Sequence, residues 1–103
     1  MPVNKTNHLI NQYSNPKTVD KKAKEYLGEN VKIKLSDKPI KKFMVLNPNT
    51  NKWVYFGQMG YKDFTKTGDA NKRKNYLSRS GNISGNWKDD KYSANNLSRN
   101  ILW

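Results

Sequence analysis

The sequence predicts an α+β fold: a small antiparallel sheet of about three strands packed with two or three short helices. Three observations point there. Residues 30–36, Asn-Val-Lys-Ile-Lys-Leu-Ser, alternate strictly between apolar and polar. Two further apolar runs, Ile40 to Leu46 and Lys52 to Phe56, flank the turn cluster Asn47-Pro48-Asn49-Thr50-Asn51. After them come two segments that open on Asp69 and Ser93, residues whose side chains cap helices.

Each element has its own reason. Residues 1–17 are polar and irregular, and they read as a flexible N-terminal arm in which Leu9-Ile10 could dock. Residues 18–103 then form the single compact domain. Thr18 is a candidate cap for a helix through Leu27, which Gly28 would stop. Alternation puts Val31, Ile33 and Leu35 on one face of the first strand, and Lys32 and Lys34 on the other. Asp37-Lys38-Pro39 is a turn. The second and third strands should pair as a hairpin with a loop longer than two residues. Gly57-Gln58-Met59-Gly60 breaks the third strand, by backbone strain or by close packing. Tyr61 to Thr67 is a connection of undefined form. A helix from Ala70 to about Ser80 follows, closed by Gly81, with Ala70, Arg73 and Leu77 along one stripe. The last helix runs to about Leu102, with Leu97, Ile101 and Trp103 on its apolar side. Trp103 reads as a core plug.

Composition bounds the function. The chain has 103 residues and no cysteine, so it has no disulfide framework, no thiolate nucleophile and no Cys-based zinc site. No apolar run is long enough to cross a bilayer, and Met1-Pro2-Val3-Asn4-Lys5 does not open a secretory signal. A core this small leaves no room for a deep substrate cleft. Neither a small-molecule substrate nor a cofactor is expected. The formal net charge is +12, from 20 Lys+Arg against 8 Asp+Glu. Lys outnumbers Arg by 17 to 3, and there are 15 Asn, a bias that A/T-rich coding would produce. Such coding does not explain the scarcity of acids. The charge instead points to a polyanion, with nucleic acid first.

Phosphate contacts are expected from Lys72, Arg73, Lys74 and Arg79 on one helix, then from Lys62, Lys66, Lys88 and Arg99. Arg73 also sits on the apolar stripe, where it could pair with Asp63 or Asp90 as structure. Lys32, Lys34, Lys41 and Lys42 would make a basic sheet surface, or simply protect a sheet edge. Trp53 and Tyr55 share one face of their strand and could stack on bases. Asp63, Asp69, Asp89 and Asp90 could in principle hold a divalent metal, as nucleases do, but they have no metal-ligand spacing, and the one histidine, His8, lies in the arm. These residues predict a binder and not an enzyme. Duplex DNA is the first partner, single-stranded DNA or RNA the alternative, and an acidic protein a third. Homodimerisation would present two sites.

One stretch resembles a family. The pattern is Lys42-Phe43-Met44-Val45-Leu46-Asn47-Pro48, then Trp53-Val54-Tyr55-Phe56-Gly57-Gln58-Met59-Gly60-Tyr61-Lys62-Asp63-Phe64-Thr65. It continues through Asp69, Arg73, Tyr76-Leu77 and Arg79 to Gly85-Asn86-Trp87-Lys88-Asp89-Asp90, Tyr92-Ser93, Asn95-Asn96-Leu97-Ser98 and Leu102-Trp103. It resembles small basic proteins of giant nucleocytoplasmic DNA viruses, of the marseillevirus, mimivirus and chlorovirus type. The resemblance covers about residues 40–103. It implies a DNA-binding protein that organises or packages a viral genome, in the virion or the viral factory, with the host nucleus as a further setting. It brings no catalytic residue.

Overall fold

Asn15-Pro16 starts the first helix. The Asn15 side chain accepts from the Thr18 N–H at 3.4 Å, and Pro16 occupies the first turn, where a missing N–H costs nothing. The computed structural model describes residues 10–103. In it helix α1 spans Pro16–Leu27, and the N–H of Gly28 closes it on the Lys24 carbonyl at 2.9 Å. The cap is thus Asn15, not Thr18.

The arm expected over residues 1–17 needs correction from residue 10 onward. Residues 1–9, with His8 and Leu9, lie outside the described residues. Residues 10–13 are helical, and Ile10 is buried in the core with Val19 and Ala23 of α1. Ser14 is buried too, because its hydroxyl donates to a buried carboxylate, Asp63.

Three strands follow, in the order β1–β2–β3: β1 Ile33–Leu35, β2 Lys41–Asn47 and β3 Lys52–Gln58. Both pairings are antiparallel. Val45 lies opposite Ile33 and Val54, and Phe43 lies opposite Leu35 and Phe56. These six side chains share the face that meets the core. The Phe43 and Phe56 rings stack there at 5.9 Å between centroids. The hairpin loop is the expected long type. It closes through the Asn51 N–H, which donates to the Asn47 carbonyl at 2.7 Å, with Asn51 in the left-handed region at φ 59°. β1 is shorter than its alternating pattern, although the Leu46 N–H still reaches the Lys32 carbonyl at 3.0 Å.

The connection after β3 contains a short helix, α2 (Phe64–Thr67), capped by Asp63. Helix α3 (Ala70–Gly81) is capped by Asp69, whose carboxylate accepts from the N–H groups of Asn71 and Lys72 at 2.9 and 3.2 Å. Gly81 is its last residue, and Asn82 forms the C-terminal cap. A single 3-10 turn, Trp87–Asp89, leads to Ser93, which caps α4 (Ala94–Leu97) as expected. The chain then widens into a π-helical turn, Ser98–Leu102. Leu97, Ile101 and Leu102 are buried with α1 and the sheet. Each such side chain stabilises the fold by about 1.5–3 kcal/mol. The architecture is therefore α+β, a three-stranded antiparallel sheet packed with short helices. No helix among the described residues is long and apolar enough to cross a membrane.

Gly57 combines a left-handed φ that suits glycine with close packing. Its φ is 80°, and a Cβ there would sit 2.7 Å from Leu102 Cδ1 and 3.2 Å from Lys42 Cβ. Gly57→Ala should therefore lose about 2 kcal/mol or more, from left-handed strain plus overpacking. A urea melt reads this as a lower midpoint at unchanged slope. A midpoint equal to the wild type's would contradict the reading.

Candidate nucleic-acid interface

Lys42 was expected to face solvent on a basic sheet surface. It is instead 1% exposed, and so is its partner Asp63. The ammonium donates to Asp63 Oδ2 at 2.9 Å, to the Tyr61 carbonyl, and to the Tyr13 carbonyl at 3.4 Å. Lysine has three N–H donors, so all are used. Asp63 is equally saturated. Its Oδ2 also accepts from the Ser14 hydroxyl, and its Oδ1 accepts from the Thr65 hydroxyl and from the Thr65 N–H at 3.0 Å. Burial pushes the Lys42 pKa below the usual lysine range, and the Asp63 charge and hydrogen bond oppose that shift. Lys42 is thus removed from any phosphate contact, because its neighbours enclose and occupy it.

This pair pins the segment Tyr61–Asp63 against the end of β2. Beside it opens a groove of ≈ 810 Å³. Lys41 of β2, Lys62 of the following loop, and Lys72 and Arg79 of α3 all line it. No acidic residue is among its lining. Lys62, Lys72 and Arg79 are exposed, and the ion pairs among the described residues, Lys24–Asp20 and Lys42–Asp63, involve none of the four. Aromatic side chains share the wall. Tyr61 is 64% exposed, while Tyr76 and Trp103 stack on each other at 4.4 Å. Burial raises the Tyr76 hydroxyl above the usual tyrosine range, against the lowering effect of Ser98, Arg99 and Arg79. Four cations with no acidic side chain beside them in the lining, drawn from three chain segments, can hold several phosphates at once.

Two expected contacts serve the fold instead. Arg73 Nε donates to the Trp103 main-chain oxygen at 2.7 Å, and its guanidinium lies 5.6 Å from the Phe64 ring centroid. The partner is therefore neither Asp63 nor Asp90. Arg99 donates to the Leu77 carbonyl at 2.6 Å and to the Ser80 hydroxyl at 2.5 Å, and it covers the Trp87 ring at 5.4 Å. Both arginines tie α3 to the C-terminal segment. Trp103 joins in this through its ring and its main-chain oxygen, and it also packs against the core cluster, as expected. Lys66, Lys74 and Lys88 are exposed but lie outside the groove lining, and Lys88 stands 5.6 Å from the Trp87 ring. Asp69 and Asp90 accept backbone N–H groups.

Lys32 and Lys34 lie where alternation put them, on the face of the sheet away from the core. Trp53 and Tyr55 share that face. Lys34 stands over the Trp53 ring at 4.5 Å, and Lys38 over the Tyr55 ring at 4.3 Å. Each such contact is worth about 0.5–1 kcal/mol at an exposed site. The Tyr55 hydroxyl donates to Asp37 at 2.7 Å, and this bond raises its pKa. Lys38 over the Tyr55 ring, and Gln58 and Tyr61 in the groove lining, are site residues that the sequence did not mark. A turn lysine and a lone loop tyrosine have no periodicity to reveal them.

Residues 31–80 match a family described as a family of unknown function (DUF5754). That span holds the three strands, Asp63 and most of α3. No curated protein matches the chain, and no solved structure does.

The buried pair generates a prediction. Lys42→Met strands the Asp63 charge and should cost about 3–5 kcal/mol, while Asp63→Asn strands the ammonium at similar cost. The double variant should lose no more than the worse single one, because the losses are coupled. Chemical denaturation of the three variants checks this. Losses that simply add would contradict it.

Proposed function

We propose that this protein binds nucleic acid through the phosphodiester backbone, without sequence preference, and that duplex DNA is its main partner. The observation that carries the proposal is the groove, where Lys41, Lys62, Lys72 and Arg79 converge with no acidic side chain in the lining. The net charge of +12 supports it, since a polyanion relieves the self-repulsion of such a chain. The action proposed is binding, with no bond made or broken. Asp63 and Asp69, two of the four acids that could have served a metal, already accept from Lys42 and from helix N–H groups. Organisation or packaging of a viral genome is the setting the sequence resemblance implies, and it belongs to the proposal on that ground alone.

The mechanism is electrostatic. Each lysine or arginine that meets a phosphate releases condensed counterions, so affinity falls with salt. If the four groove cations each neutralise one phosphate, log affinity should fall against log salt with a slope of about −3.6 on duplex DNA. Fluorescence anisotropy on two unrelated duplexes across a salt series reads the slope. Lys72→Ala/Arg79→Ala should flatten it by about 1.8 and weaken both duplexes equally. An unchanged slope in that variant, or no binding at low salt, would overturn the proposal.

A further inference from the structure

The face of the sheet opposite the core cluster carries two cross-strand rows beyond the buried Lys42. One reads Lys32, Leu46, Trp53, and the other Lys34, Met44, Tyr55. Each row has a cation on the β1 side, an aliphatic middle and an aromatic ring on β3. Lys34, Lys38 and Lys32 are exposed, and both rings remain partly open to solvent. The ammonium groups of Lys34 and Lys38 stand over the rings at 4.5 and 4.3 Å. One acid, Asp37, lies here, and its acceptance from the Tyr55 hydroxyl fixes the angle of that ring.

Resting on the nucleic-acid reading above, we infer that this face is a second site, for single-stranded nucleic acid, with Trp53 and Tyr55 each stacking on one base. Lys34 and Lys38 cover the rings in the free protein. On binding they move to the flanking phosphates and leave the ring faces to the bases. Spacing favours a single strand. Trp53 and Tyr55 are two residues apart on one strand, so their Cα atoms are separated by about 6.8 Å. That is twice the rise of about 3.4 Å between stacked nucleotides along one strand of a duplex. Two unstacked bases of an extended strand fit it. Bases inside a duplex present no free faces to these rings. The four groove cations and this face draw on different residues, so the two sites are separable by substitution.

The test titrates wild type, Trp53→Leu and Tyr55→Leu with labelled oligo(dT) and oligo(U) of about twelve nucleotides, within the usual reach of such sites. A duplex serves as the control. Leucine keeps an apolar side chain in the row and removes the π face. Each substitution should weaken single-strand binding by roughly 5- to 150-fold and leave duplex binding within about twofold. Lys34→Ala leaves the apolar rows intact and should flatten the single-strand salt slope by about 0.7. Weakening with either oligonucleotide supports the inference, and the tighter one identifies DNA or RNA as the source. Single-strand affinity equal to wild type in both leucine variants, with duplex binding intact, overturns this inference alone. A wild-type protein that binds neither oligonucleotide nor duplex overturns it together with the proposed function.

Discussion

Lys42 and Asp63 face each other inside the protein, and four parts of the chain are tied to them. Lys42 comes from β2, and Asp63 from the connection that follows β3. Residues 13 and 14 bring a carbonyl and a hydroxyl, and Thr65 opens α2 on the same carboxylate. Taking two charges out of water costs several kcal/mol per ion, and only full hydrogen bonding offsets it. That demand explains the surroundings. Segment 10–14 cannot remain a free arm while Ser14 and Tyr13 are needed as partners. Tyr61 cannot drift while its carbonyl takes one of the ammonium's three protons.

The pair also places the surface. Lys41 precedes Lys42 on β2, and Lys62 precedes Asp63, so fixing the buried pair fixes two cations of the groove. Helix α3 brings the other two but has only one buried residue, Ser80. It is held through its partners: Arg73 on the Trp103 main-chain oxygen, Tyr76 stacked on Trp103, and Arg99 reaching back to Leu77 and Ser80. The arginines thus hold the helix, and lysines with Arg79 face the groove. Guanidinium suits that work, since its fixed fork can meet a carbonyl and an aromatic ring together.

Much of the fold was legible because it follows period and cap chemistry. The hairpin around Asn47–Asn51, the caps at Asp69 and Ser93, and the shared face of Ile33 and Leu35 needed only alternation and side-chain oxygens. In segment 10–17 the docking of Ile10 was legible, but the burial of Ser14 was not, because its partner Asp63 lies about fifty residues away. Lys42 was misread for a related reason. Alternation gives the face of a strand, but it does not show which residues of that face a later loop covers. Arg73 was half legible, since its place on the apolar stripe marked it as structural, but its partner was the main-chain oxygen of Trp103. Lys41, Lys62, Lys72 and Arg79 were each legible as cations. Their convergence belongs to the tertiary structure.

That convergence is the central claim, and chemical-shift mapping tests it most directly. A protein of 12.0 kDa suits amide NMR, with a short DNA duplex added in steps at low salt. The account predicts that the shifted amides gather around Lys41, Gln58, Tyr61, Lys62, Lys72 and Arg79. Shifts spread evenly over the exposed lysines, those of α1 included, would contradict it. The charge would then act as a diffuse field, without a site.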